Sequence, residues 1–99
     1  MYPTASTDEH TPVIIWLNGG PGASSMLANF LFSGPMRISQ DPETGAYDMF
    51  RVSETWMNIG TVIYIDQPVG TGFSSEPSSL LNNMTDVTDE FVYFMLQLQ

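Results

Sequence analysis

The sequence predicts an α/β fold in which parallel central strands are joined by a crossover helix. Two runs carry this reading, Val13-Ile14-Ile15-Trp16-Leu17 and Thr61-Val62-Ile63-Tyr64-Ile65. Both are continuously apolar, rich in β-branched residues and free of alternation, the habit of strands buried on both faces of a parallel sheet. Each stops at a glycine-rich turn, Asn18-Gly19-Gly20-Pro21-Gly22 and Gln67-Pro68-Val69-Gly70-Thr71-Gly72. A helical pattern lies between them, and a crossover is what two parallel strands require.

Taken in order, residues 1–11 are polar and read as a loop or disordered arm. The first strand follows. After its turn, Ser24 or Ser25 caps a short helix through Met26, Leu27, Phe30 and Leu31, which Gly34-Pro35 ends. Gln40-Asp41-Pro42-Glu43-Thr44-Gly45 is a turn signal between two short extended segments, one near Ile38 and one near Tyr47. Trp56 is expected to pack on the way back to the sheet. The second strand ends at Asp66, so both glycine-rich turns lie at the same sheet edge. Residues 74–83 form a Ser/Pro/Asn loop. Residues 85–99 read as an amphipathic helix with Val87, Phe91, Met95 and Leu98 on one face and Phe94 beside them. That face is expected to meet the core, and Asp86, Asp89 and Glu90 favour the helix's N-terminal dipole.

A length of 99 residues suits one small domain, and an apolar fraction of 42% places it among packed rather than disordered chains. No apolar stretch approaches a membrane span. The net charge is −9, with Arg37 and Arg51 the only basic side chains. That argues against a nucleic-acid partner, which needs a basic face. The absence of cysteine excludes disulfides and thiolate metal sites. His10, the single histidine, reads as a surface residue with no second ligand at metal-site spacing, so no metal and no cofactor is expected.

The first turn is the place to look for chemistry. Glycines strip side chains from the backbone at the C-terminal end of a parallel strand, where open α/β sheets bind ligands. From the glycines alone two readings stand. One is a strand-to-helix turn and nothing more. The other is a cradle of N–H groups for an anion, either a resting carboxylate or an oxyanion formed in acyl transfer. A phosphate loop is excluded, because the chain has no Lys, and the G-x-G-x-x-G spacing of a dinucleotide site is absent. No G-x-S-x-G elbow exists: Gly22-Ala23-Ser24-Ser25-Met26 and Gly72-Phe73-Ser74-Ser75-Glu76 both lack the second glycine, and His10 precedes them. Asp66 reads as hydrogen-bonded structure rather than as a catalyst. Asn83-Met84-Thr85 is either an N-glycosylation acceptor or a helix-capping segment.

Trp16-Leu17-Asn18-Gly19-Gly20-Pro21-Gly22-Ala23-Ser24-Ser25 resembles the signature block of the serine carboxypeptidases, a family of the α/β-hydrolase fold. Residues 56–74 resemble that family's next block, and Ser33-Gly34-Pro35-Met36-Arg37-Ile38 its Gly-Pro connection, in the same order and at similar spacing. The resemblance implies an exopeptidase that releases C-terminal residues from peptides through an acyl-enzyme. It implies that Asn18 and the Gly19 N–H hold the substrate's terminal carboxylate and that the Gly20 N–H is one oxyanion-hole donor. Asp66 and Gln67 would fix the second loop near the site. It also implies routing through the secretory pathway to a lysosome, vacuole or the exterior.

By the same resemblance, the nucleophile elbow follows the 85–99 helix, after one connection and one strand. Residues 12–99 are therefore expected to be a partial α/β-hydrolase domain, truncated before that elbow. The chain is expected to be a fragment from the N-terminal part of a catalytic domain, without a triad and inactive alone. The polar start lacks a signal peptide, so the true N-terminus is expected to be missing too. An acyltransferase or other hydrolase on the same scaffold, and a non-catalytic truncated product, are the alternatives. Two positions depart from the family. Ala23 stands where a disulfide Cys is common. Phe32 stands where a Glu shares a proton with a second Glu in binding the substrate carboxylate.

Overall fold

The computed structural model describes residues 1, 10–75 and 81–98. Most of the expected N-terminal arm, and residues 76–80 of the loop before the last helix, lie outside the described residues.

The two apolar runs form strands β1 (Val13–Leu17) and, after the intervening elements, β4 (Thr61–Ile65). They pair in parallel and in step, Val13 opposite Thr61 through Leu17 opposite Ile65. The Thr61 N–H donates to Pro12 O at 2.9 Å, which closes the N-terminal end of the ladder. Both strands therefore end at one edge of the pair, as their turns predicted.

The crossover begins with α1 (Ser25–Ala28), a single turn that widens into a π turn over Asn29–Ser33. Ser24 is its cap, with Oγ accepting from the Met26 N–H at 3.1 Å. The π turn is held where it ends: Ser33 Oγ donates to Ala28 O and bonds the Tyr64 hydroxyl, each at 3.1 Å. Gly34 then leaves in an extended conformation so close to the Asn29 carbonyl that a Cβ would collide with it. The expected helix is thus helical to Ser33, but only its first turn is α.

The two predicted extended segments form an antiparallel hairpin of β2 (Met36–Gln40) and β3 (Tyr47–Arg51). Asp41 organises its tip, with Oδ1 accepting from the N–H groups of Glu43 (2.7 Å) and Thr44 (3.0 Å). The hairpin base closes where the Val52 N–H meets Pro35 O at 2.9 Å, and the Arg37 guanidinium donates back to Phe32 O. A 3-10 turn over Trp56–Asn58, capped by Thr55, returns the chain to β4.

The core is small: Ala28, Val62 and Tyr64 are buried, and Ile14, Trp16, Met26 and Met57 pack around them. Burial corrects three expectations. β1 is half-buried at best, with Val13 60% exposed, because the described residues supply packing on one face only. Trp56 is 47% exposed instead of packed. The last helix, α2 (Met84–Gln97), has no buried residue. Its face is oriented as predicted, with Val87, Phe91 and Met95 half-buried, but among the described residues it borders the second loop and Ile65 across a hollow, and Leu98 is exposed.

Candidate functional site

The two glycine-rich turns emerge from adjacent parallel strands, and a carboxylate binds them together. Asp66 follows β4 directly. Its Oδ1 accepts from Ser24 Oγ at 2.8 Å and from the Ser25 N–H at 2.6 Å, both on the first loop. Its Oδ2 accepts from the Phe73 N–H of the second loop at 3.0 Å. Partial burial pushes this carboxyl up. The Phe73 N–H, the Ser24 hydroxyl and the Ser25 and Met26 N–H groups outweigh it, so Asp66 titrates below the ordinary carboxylate range. Gly72 makes the approach possible: its φ is +55°, and a Cβ there would overlap the Asp66 carboxylate.

Ser25 is a second strut. It is almost wholly buried, and its hydroxyl donates to Ile65 O at 2.5 Å while accepting from the Asn18 N–H at 3.0 Å. The start of the first loop is thus fixed to the end of β4. Within the loop, the Ala23 N–H donates to Gly19 O at 3.3 Å, and Gly20 takes φ +130° before a cis Pro21. The second loop has a parallel build. It has a cis Gln67-Pro68 bond, a Thr71 N–H to Pro68 O bond at 3.1 Å, and Ser74 Oγ donating to Asp66 O at 2.6 Å.

These bonds omit two donors. Among the described residues, no acceptor meets the N–H groups of Gly19 and Gly20, and both glycines are exposed. Nothing would lie within 4 Å of a Cβ at Gly19. The half-buried Asn18 precedes them, so one amide side chain and two bare N–H groups run consecutively at the C-terminal edge of β1. Such a set can receive an anion without a buried countercharge.

Asp66 is tied to the first loop through Ser24 and Ser25, Gln67 lines the hollow between the second loop and α2, and Asn83 lies at the start of α2. His10 precedes β1, and the loops leave its other end. Phe32 is 54% exposed, its ring edge-on to Trp16 with centroids 6.4 Å apart. A hollow of about 370 Å³ between Phe32, Glu54 and Trp56 takes no residue from either glycine loop. A smaller one of about 130 Å³ lies between the second loop and α2, lined by Gln67, Pro68, Phe91 and Phe94. Among the described residues, no three His, Asp or Glu side chains are grouped to hold a metal ion. None of their helices is long and apolar enough to cross a membrane.

Sequence reasoning missed the division of labour between the paired serines, with Ser24 capping α1 and reaching Asp66 while Ser25 ties Asn18 to Ile65. The available signal was a pair of small hydroxyl residues after a glycine turn, matched by a carboxylate at the end of the neighbouring strand.

The sequence profile of the serine carboxypeptidase family matches residues 1–98. The pheromone-processing carboxypeptidase KEX1 of Candida glabrata is 41% identical over 93 residues, 93% of this chain and 12% of that protein. A carboxypeptidase Y homolog of Arthroderma benhamiae is 43% identical over 86 residues, 84% of this chain and 16% of that protein. The crystal structure of a prohormone-processing carboxypeptidase, Kex1(Δ)p of Saccharomyces cerevisiae, superposes with a TM-score of 0.70 at 37% identity. It covers 86% of this chain and 18% of its own. The chain thus spans less than a fifth of the length of these relatives.

Proposed function

The chain belongs to the serine carboxypeptidase family, and from that premise we propose that the protein releases C-terminal residues from peptides by acyl-enzyme proteolysis. In this reading residues 18–20 form the part of the site that meets the substrate's end. The Asn18 side chain and the Gly19 N–H bind the terminal carboxylate. The Gly20 N–H donates to the oxyanion that develops on the scissile carbonyl, where a preorganised donor acts most strongly. Asp66 and Gln67 hold the second loop against the first. The Ser/Asp/His machinery is not supplied by these 99 residues. Location in the secretory pathway, with delivery to a lysosome, vacuole or the exterior, belongs to the same proposal.

The observation that carries this reading is the pair of open N–H groups at Gly19 and Gly20, beside Asn18 and fixed from behind by Ser25 and Asp66. The test uses the protein at its full natural length, with peptide substrates that differ only in a free or amidated C-terminus. Asn18→Ala should raise KM for the free acid and leave the amide unchanged. Gly20→Ala, at φ +130°, should lower kcat for both. Equal effects of Asn18→Ala on the two substrates would remove the carboxylate assignment.

Phe32 favours a second reading. An apolar ring stands where the family resemblance leads one to expect a proton-sharing Glu, which weakens the case for a free-carboxylate substrate. Acyl transfer from an ester donor on the same scaffold needs no such carboxylate. Incubation with an ester and an alcohol acceptor, scored for transfer against hydrolysis, separates the two.

A further inference from the structure

We propose that Ser25 is a positioning residue for the substrate's terminal carboxylate. Through the Asn18 N–H it aims that end of the first loop, while a separate bond aims the oxyanion donor at Gly20. The proposal rests on the roles proposed above for residues 18–20.

Three consecutive peptide groups carry the N–H groups of Asn18, Gly19 and Gly20. All three are trans, so in each plane the N–H and the preceding C=O point in opposite directions. The first plane is held by its N–H, which donates to Ser25 Oγ at 3.0 Å. The third is held by its C=O, since Gly19 O accepts from the Ala23 N–H at 3.3 Å. The Gly20 N–H therefore faces away from Ala23. Among the described residues, no acceptor meets the Gly19 N–H and no partner meets the Asn18 side chain. The middle plane takes its direction from the two that flank it.

A buried hydroxyl suits this duty. Ser25 is 1% exposed, and its one hydroxyl hydrogen is spent on Ile65 O at 2.5 Å. The rotor is thereby locked, and a lone pair is left for the Asn18 N–H. Loss of Oγ removes the Asn18 and Ile65 bonds and no others. The Ser25 N–H still meets Asp66 Oδ1, Ser24 Oγ still meets the same oxygen, and the Ala23 N–H still meets Gly19 O. Gly20 then keeps its aim while Asn18 and Gly19 lose theirs. The resting carboxylate and the developing oxyanion thus rest on different supports within one five-residue turn.

The test uses the protein at its full natural length and one peptide with a free or an amidated C-terminus. Ser25→Ala should raise KM for the free acid about tenfold, the weight of one hydrogen bond, and change kcat by less than about twofold. The amide should show less than about a twofold change in KM. Ser25→Cys fills the same space with a weak acceptor, so it should behave like Ser25→Ala. In an Asn18→Ala background the further loss from Ser25→Ala should fall below about threefold. In the unaltered protein, hydrogen exchange at the Asn18 N–H should be slower than at the Gly19 N–H by about a hundredfold or more. A loss shared by acid and amide, or full function in Ser25→Cys, would make Ser25 a packing residue and overturn the proposal. Equal exchange at Asn18 and Gly19 would overturn it too, and that measurement needs no variant to fold. Asn18→Ala, run beside these, separates this proposal from the reading beneath it. If Asn18→Ala spares the amide and Ser25→Ala does not, only the role of Ser25 falls. If Asn18→Ala harms both substrates alike, the carboxylate assignment falls and this proposal with it.

Discussion

The Ser24 hydroxyl donates to Asp66 Oδ1 at 2.8 Å across 42 residues of sequence. It joins the residue that caps α1 to the residue that ends β4. One carboxylate therefore sets the separation of two loops that the sheet alone would only bring to the same edge. The Gly19 and Gly20 N–H groups inherit their position from this bond and its neighbour at Ser25.

Replacing Asp66 should destabilise the protein in a pH-dependent way. The folded carboxyl lies below its ordinary value because its donors outweigh partial burial. The stabilisation is then fully present above the unfolded value, about 3.9, and is lost as pH falls through the lower folded value. Asp66→Asn should cost about 1.5–3 kcal/mol at neutral pH, the range for hydrogen bonds to a charged group. Urea denaturation of both proteins should show the gap closing in acid; a gap that stays constant would refute the assignment.

Gly72 and Asp66 should be energetically coupled. Gly72→Ala places a methyl group against the Asp66 carboxylate and holds Ala at φ +55°. In the native background the loss should exceed the roughly 1–2 kcal/mol of left-handed backbone strain. In an Asp66→Ala background it should shrink toward that strain, with the Ser24 hydroxyl the one close contact left. A double-mutant cycle with no coupling would mean that the contact relaxes away.

The 99 residues alone should not hydrolyse a peptide or a chromogenic ester. They contain no G-x-S-x-G elbow, and their single His precedes β1. Turnover that copurified with the chain and vanished on changing Ser24, Ser25 or Ser74 to Ala would make that serine a nucleophile and refute the expectation.

Phe32→Glu, in the protein at full natural length, should improve hydrolysis of a blocked dipeptide with a free carboxylate, most at acid pH. A protonated carboxyl donates to the substrate's carboxylate, whereas an ionised pair repels it. The expected gain is about 10- to 100-fold in kcat/KM, one charge-assisted hydrogen bond. The gain should fade toward neutrality. Phe32 also rests edge-on against Trp16, so loss of that contact, about 0.5–1.5 kcal/mol, should appear as a lower Tm. A ratio that is flat across pH would assign Phe32 to packing alone.

Much of this architecture was legible because its signals are local. β-branched apolar runs marked β1 and β4, and turn residues at 40–45 marked the hairpin. A helical period marked α2 to within two residues at each end. What escaped the sequence depends on partners distant in the chain. The π turn at Asn29–Ser33 is held by Ser33 bonding Tyr64 on β4, which no window around residue 30 contains. The Ser24–Asp66 and Ser25–Ile65 bonds are equally long in range. Burial was overread for β1 and α2, since an apolar pattern states which face seeks cover and not how much cover is present. In the site, the bareness of the turn followed from its glycines. That Asn18 alone of residues 18–20 spends its N–H on Ser25 did not.

The hairpin has a base closed upon itself. Val52 donates to Pro35 O, and Arg37 reaches back to Phe32 O, so β2 and β3 leave and rejoin the body of the protein at nearly one point. Length added or removed at its tip, around Glu43 and Thr44, is absorbed before it reaches the Thr61–Pro12 bond that begins the parallel ladder. Loop-closure entropy grows only slowly with such additions. This segment is therefore where the chain can accept foreign sequence, such as an epitope or a fluorescent reporter, and keep both glycine loops in register.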